Sequence, residues 1–112
     1  MALVTLEEAK NYLRVDSLDD DMLIGTLLAS AGILCADIAR LTEEEWEAVN
    51  SESEDVEDGI TPSEKLSSRR KLVKIAMLYA TGYLYEHREE ADYHGLILTL
   101  RSILFSIREG VV

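Results

Sequence analysis

The sequence predicts an all-α protein, a small bundle of about four helices that includes one long central helix. Helix-capping patterns recur along the chain, and apolar residues repeat at helical spacing. One proline and six glycines in 112 residues are not typical of an all-β or low-complexity protein. The length suits one domain with one core, so we treat residues 1–112 as a single helical domain.

Capping signals predict the first two helices. Thr5 followed by Glu8 forms a capping box and predicts a short helix that ends at about Arg14. Ser17 or Asp19 then caps a second helix, which should run to about residue 40. Its predicted core-facing stripe follows the helical period and consists of Leu23, Leu27, Ala31, Leu34, Ile38 and Leu41.

The second helix also carries a stripe of small residues, formed by Gly25, Ala29, Gly32 and Ala36. Each glycine inside a helix costs roughly 1 kcal/mol relative to alanine. We expect the close approach of a neighbouring helix to offset that cost. Gly25, Ala29 and Gly32 are therefore candidate contacts with another copy of the chain or with a partner.

One segment carries most of the net charge of −11. Nine of the 22 acidic residues lie between Glu43 and Asp58, and the remaining 13 face 11 basic residues. Thr42 and Glu45 predict a short helical piece around Trp46, which either packs over the domain edge or anchors a partner. We treat residues 43–60 as an acidic, mobile insertion between the second and third main helices.

The long central helix follows this insertion. Residues 61–64, TPSE, combine a capping threonine, a proline at the first helical position and a glutamate. Residues 72–85 contain one charged side chain, that of Lys74. A helix that is apolar on nearly every side needs neighbours on every side, so we expect other copies or a partner to supply part of its cover. The helix should end near Glu90.

Basic residues cluster at the start of the central helix. They are Lys65, Arg69, Arg70, Lys71 and Lys74. A solvated face is the simplest interpretation. The more specific hypothesis is that Lys65, Arg69, Arg70 and Lys71 meet acidic residues across a contact between subunits.

A final amphipathic helix is predicted from about Gly95 to Arg108. Its apolar face consists of Leu96, Leu100, Ile103, Leu104 and Ile107. No strand pattern competes with a helix in any part of the sequence.

Candidate metal ligands lie near the end of the central helix. They are Glu86, His87, Glu89, Glu90, Asp92 and His94. All-α magnesium-dependent nucleotide pyrophosphohydrolases use similar carboxylates, but with a second acidic pair on a facing helix, which this sequence does not offer. The two histidines do not match zinc spacing, and we interpret Cys35 as a small core residue. We expect no enzymatic activity, no metal and no cofactor.

The sequence also bears on location. The first residues, MALVTLEEAK, lack the basic start and apolar run of a signal peptide, and a lone cysteine fits a reducing compartment. We take the longest apolar run to be residues 72–85, which is shorter than the roughly 20 residues needed to cross a membrane. We expect a soluble protein with no membrane contact.

The order of these elements resembles a known family. The segments LEEAKNYLRVD, DSLDDDMLIGTLLASA, YLYEHREEAD and LRSILFSIREG together are similar to the head-tail connector proteins of long-tailed bacteriophages. The resemblance spans Leu3 to Glu109 apart from the acidic segment. Its strongest part is residues 83–88, where the family tends to have an aromatic residue, a tyrosine, a glutamate, a variable polar residue and an arginine. His87 occupies the variable position.

The resemblance implies a structural role in the virion neck. Family members form a ring, usually matched to the twelve-fold portal, which docks beneath the portal vertex after DNA packaging and receives stopper or tail-completion proteins. The implied location is the host cytoplasm during assembly and the virion neck afterwards. DNA would pass through the ring without sequence-specific binding, which suits an acidic channel. Tyr83, Tyr85, Glu86 and Arg88 would fix the fold or contact a neighbouring subunit.

Two other functional classes stay open. A small acidic helical regulator that binds a host or phage protein would share the charge pattern but would form a monomer or dimer. A magnesium-dependent nucleotide hydrolase would need carboxylates that converge in an apolar-walled pocket.

Overall fold

The computed structural model describes residues 3–50, 64–87 and 93–109, and these ranges confirm the predicted all-α class. Within them the chain forms helices and no strand. The helices are α1 (Leu6–Leu13), α2 (Asp21–Ile38), α3 (Glu43–Asn50), α4 (Glu64–Glu86), α5 (His94–Ile103) and α6 (Phe105–Arg108). The predicted start of the central helix at residues 61–63 and its predicted end at Glu90 lie outside the described residues.

The capping box of α1 forms as predicted. The Glu8 backbone N–H donates a hydrogen bond to Thr5 Oγ1 at 3.1 Å, and the Thr5 N–H donates one to Glu8 Oε1 at 3.2 Å. The helix ends at Arg14, whose left-handed backbone (φ 60°) turns the chain toward α2. The N-cap of α2 is Asp20. The prediction of a cap at Ser17 or Asp19 is therefore wrong by one residue or more.

The antiparallel helices α2 and α4 form the centre of the bundle. The Tyr85 hydroxyl donates a 2.5 Å hydrogen bond to Asp20 Oδ2, which connects the end of α4 to the start of α2. Helices α1 and α5 each pack on both members of the pair, and α3 packs on α4. The core between them includes the fully buried side chains of Val4, Val49, Val73, Leu96, Leu100 and Leu104.

The core-facing stripe of α2 differs from the predicted one in its first turns. Ile24, Ala31 and Cys35 are fully buried, and Leu28 packs against the core. The observed stripe therefore begins one residue later than the predicted stripe, which started at Leu23. One residue turns an α-helix by about 100°. The sequence has leucine at both position 27 and position 28, so the apolar pattern alone did not distinguish the two stripes.

The predicted last helix is divided into α5 and α6 by Leu104, whose backbone (φ −95°, ψ 7°) is not helical. The apolar face survives the break, because Leu96, Leu100, Leu104 and Ile107 are all buried. The prediction of the buried face is confirmed, and the prediction of one continuous helix is wrong.

Part of the cover of α4 comes from its own chain. Helices α1, α2, α3 and α5 all pack on it, and Val73, Ala76, Met77 and Ala80 are buried. Among the described large apolar side chains of this helix, only Ile75 is exposed. Helices of the same chain therefore cover one side of α4, and the expectation that another copy or a partner covers the rest stays a prediction.

Helix α2, and not the central helix, contains the longest stretch without a charged residue. Residues 22–36 carry no charge, so our choice of residues 72–85 as the longest apolar run is wrong. Among the described helices, α2 is the one long and apolar enough to cross a membrane, with a mean hydropathy of 1.6 over 18 residues. The core helix of a soluble protein meets the same criterion, and one face of α2 is buried in the core. The criterion is weak evidence for a membrane span.

Candidate interaction surfaces

The acidic and basic segments meet within one chain. Arg69 Nη1 lies 3.0 Å from Glu45 Oε2, which connects α4 to α3. Glu45 also closes the predicted capping box with Thr42, through hydrogen bonds of 3.0 and 3.1 Å. The backbone hydrogen bond from Thr42, assisted by the Arg69 guanidinium, lowers the pKa of Glu45. Residues 43–50, which we grouped with a mobile insertion, thus form a capped helix attached to α4, and residues 51–60 lie outside the described part of the chain.

Arg70 has a structural role in this attachment. Its Nη1 donates a 3.0 Å hydrogen bond to the Val49 carbonyl, near the C-terminus of α3, where the helix dipole favours a cation. The residue is only 7% exposed, so the hypothesis that Arg70 contacts another subunit is wrong for this fold. Lys71 is exposed and remains a candidate, whereas the side chain of Lys65 lies outside the described part.

The small residues of α2 line an apolar groove of about 370 Å³ between α2 and α3. A Cβ built on Gly32 would lie 3.3 Å from both Met77 Cε and Trp46 Cζ2, so the predicted close approach is confirmed at this glycine. The same contact favours the packing interpretation of Trp46. Among the described residues, a Cβ built on Gly25 would meet nothing within 4 Å apart from the adjoining backbone of its own helix, and Gly25 lines the groove with Ala29. Nothing in the described part of the chain offsets the cost of Gly25.

Tyr83 and His87 border a cleft of about 450 Å³ between the ends of α1 and α4. The Tyr83 ring stacks on His87 with 4.2 Å between ring centroids, and it meets Tyr93 edge to face at 6.4 Å. His87 Nδ1 donates a 2.9 Å hydrogen bond to the Tyr83 carbonyl, because that carbonyl oxygen can only accept. The cleft is completed by Tyr12, Leu13, Arg14, Tyr79, Gly82 and Glu86.

The four residues singled out by the family resemblance have different surroundings. Tyr85 connects α4 to α2 through Asp20, and Tyr83 packs between His87 and Tyr93, so both help to fix the fold. Glu86 is exposed at the border of the cleft. Arg88 lies outside the described residues. Their role as contacts between subunits stays a prediction.

The described side chains contain no group of three or more His, Cys, Asp or Glu residues that could hold a metal ion. Glu89, Glu90 and Asp92 lie outside the described residues, so the candidate metal cluster stays untested there. Cys35 is fully buried, as expected of a core residue. Burial raises the pKa of its thiol to about 12, which leaves it unreactive in the folded protein.

A surface that we did not predict lies on α5, α6 and the end of α2. Leu98 and Phe105 are 51% and 58% exposed and line an open groove with Arg101. Arg101 also borders a second depression, together with Arg40 and Arg108. We call these five residues the basic-apolar face. The spacing of Leu98, Arg101 and Phe105 was visible in the sequence, but we used the helical period there only to find the buried side.

Comparison of the chain with protein-family models, curated proteins and solved structures found no match. Function must therefore be inferred from the resemblance of the sequence segments and from the surfaces described above.

Proposed function

We propose that the chain is a structural protein of a bacteriophage neck that assembles as a ring between the portal and a stopper or tail-completion protein. The order of its sequence segments, which resembles that of head-tail connector proteins, motivates the proposal. One structural observation supports it most. Although the bundle has a full core, large apolar side chains are exposed on several helices, namely Met22, Ile33, Ile75, Leu98 and Phe105.

The distribution of these side chains favours a ring. Met22 and Ile33 belong to α2, whereas Leu98 and Phe105 belong to α5 and α6. A closed ring uses two different surfaces of each subunit, because the same heterologous contact repeats around the axis. A two-fold dimer uses one self-complementary surface. Separate exposed apolar surfaces thus suit a ring, and a further surface can receive the portal or stopper.

The net charge of −11 favours a protein that lets DNA pass without binding it tightly. A protein that grips DNA concentrates basic residues, whereas an acidic channel repels phosphates and lets the duplex pass. The proposed protein has no enzymatic activity and works in the host cytoplasm during assembly and in the virion neck afterwards, without membrane contact.

Native mass spectrometry with negative-stain imaging tests the proposal. We expect annular particles of one defined stoichiometry, alone or with the portal protein of the same virus. A chain that remains monomeric in both conditions contradicts the proposal. A monomer that binds a basic host protein would favour the acidic regulator instead, and magnesium-dependent turnover of nucleotides would favour the hydrolase.

A further inference from the structure

Side chains of opposite charge are grouped on different helices of one subunit. The acidic face is the outer surface of α3, where Glu43, Glu44 and Glu47 are exposed. Helix α3 packs on α4, whereas α5 packs on both α2 and α4 and has no extensive contact with α3. The acidic face and the Arg101 and Arg108 side chains therefore belong to helices that do not pack extensively on each other, whereas Arg40 precedes Glu43 by three residues.

The charges on both faces are available for a partner. Within the described part of the chain, the ion pairs join Lys10 to Asp21, Arg69 to Glu45 and Lys74 to Glu8. None of these pairs includes a glutamate of the acidic face or an arginine of the basic-apolar face. The three exposed glutamates and the three arginines thus form no ion pair with described residues, and Asp37 lines the same depression as the arginines.

Each face also has apolar surface beside its charges. Leu98 and Phe105 lie next to Arg101. Near the acidic face, Ile33 is 71% exposed and lines the groove with Trp46 of α3. Protein interfaces commonly combine an apolar centre with a polar rim, so each face has the composition of half an interface.

We propose that the acidic face of one copy docks on the basic-apolar face of the next copy. The inference rests on the proposed ring and names the surfaces that form it. Charge complementarity favours this occupant, because the same chain supplies three exposed glutamates and three arginines that form no ion pair among the described residues. Nucleic acid is a less suitable occupant, since a chain with net charge −11 repels phosphates around a small basic patch. The contact is heterologous, so it repeats from copy to copy.

A charge-swap experiment tests this contact. One variant carries Arg101→Glu and Arg108→Glu, and the other carries Glu44→Arg and Glu47→Arg. We expect the association constant of each variant alone to be lower than that of the wild-type chain by a factor of about ten or more. Analytical ultracentrifugation at low salt measures it. An equimolar mixture should recover association, because both reversed faces then meet opposite charge. Glu7→Arg, at an exposed position on α1, is the control and should associate like the wild-type chain. Circular dichroism checks that all variants fold.

Several outcomes overturn the contact. It is wrong if both variants associate like the wild-type chain, if the mixture recovers nothing, or if the wild-type chain stays monomeric at millimolar concentration and low salt. Binding of a short DNA duplex by the monomer, lost in the Arg101→Glu and Arg108→Glu variant, would assign the arginines to nucleic acid instead. If both variants still form the same rings as the wild-type chain, this contact is wrong and the proposed function is unaffected. Charge-swap recovery of open filaments or closed dimers would support the contact and contradict the ring.

Discussion

Helices α2 and α4 are both apolar over long stretches, yet among the described residues α2 leaves more large apolar side chains exposed than α4 does. Four helices pack on α4, and Ile75 is its one exposed large apolar side chain among those described. Helix α2 has the higher hydropathy, but only 28% of it is buried, and Met22 and Ile33 are 89% and 71% exposed. Hydropathy alone therefore does not identify the helix that its own chain covers more fully. The apolar surface of α2 that its own chain leaves uncovered is available to other molecules.

The largest expected effect compares one methionine on each helix. Met77 on α4 is 4% exposed and contacts the α2 backbone at Gly32, so Met77→Ala should lower the free energy of unfolding by about 2 to 5 kcal/mol. Met22→Ala, at the start of α2, should change it by less than about 0.5 kcal/mol. Urea unfolding measures both. Equal losses would show that α2 is enclosed as fully as α4.

Two glycines should respond differently to alanine. A Cβ at Gly82 of α4 would lie 3.0 Å from Tyr12 Cε1 and 3.6 Å from Leu13 Cδ2, so crowding of α1 in Gly82→Ala should offset the roughly 1 kcal/mol that alanine otherwise gains in a helix and leave this variant less stable than Gly25→Ala. Gly25 of α2 has open space there, and Gly25→Ala should stabilise the helix by up to about 1 kcal/mol. Thermal unfolding compares the two variants. A destabilised Gly25→Ala variant would mean that another group occupies that space in solution.

Local patterns predicted the local structure well. The capping boxes at Thr5 and Thr42 form as expected, because the atoms involved are three residues apart in the chain. The buried face of the last helix was also predicted. The packing of α1 and α3 on α4 was not predicted, because their sequences do not specify the helix that they contact.

The interaction surfaces were harder to predict for the same reason. Arg40, Arg101 and Arg108 are far apart in sequence and share a surface only because the end of α2 lies beside α5 and α6. Arg70 and Lys71 are adjacent in sequence, but one is buried and the other exposed. The sequence revealed the basic cluster, and helical phase decided which member faces α3.

That pair of residues provides a third prediction, which concerns the attachment of α3 to α4. Arg70→Met removes the donor to the Val49 carbonyl and should cost about 1 to 3 kcal/mol. Lys71→Met removes an exposed charge and keeps a side chain of similar length to lysine. It should lower the free energy of unfolding by less than about 0.5 kcal/mol. Chemical denaturation followed by Trp46 fluorescence reports on both, since the tryptophan belongs to α3. Similar results for the two variants would contradict the internal role of Arg70.

The smallest expected effect concerns pH and the contact of α1 with α4. The Lys74 ammonium binds Glu8, and its hydrogen bond, together with that from the Thr5 backbone, lowers the pKa of Glu8 below the usual 4.5. A carboxyl whose pKa is lower in the folded protein stabilises the fold above its unfolded pKa, and this stability is lost as pH falls through the folded value. Both side chains are more than a third exposed, so solvent screening keeps the contribution small.

Glu8→Gln isolates this contribution, because glutamine can still accept the capping hydrogen bond from Thr5 while losing the charge that Lys74 binds. We expect the variant to lose less of its unfolding free energy than the wild-type chain as pH falls below 4.5. Glu7→Gln, one residue earlier on the exposed side of α1, should retain the wild-type pH dependence. Urea titrations across this range measure all three proteins. If Glu7→Gln flattened the pH dependence as much as Glu8→Gln, the effect would reflect net charge, and the contact between α1 and α4 would not depend on this ion pair.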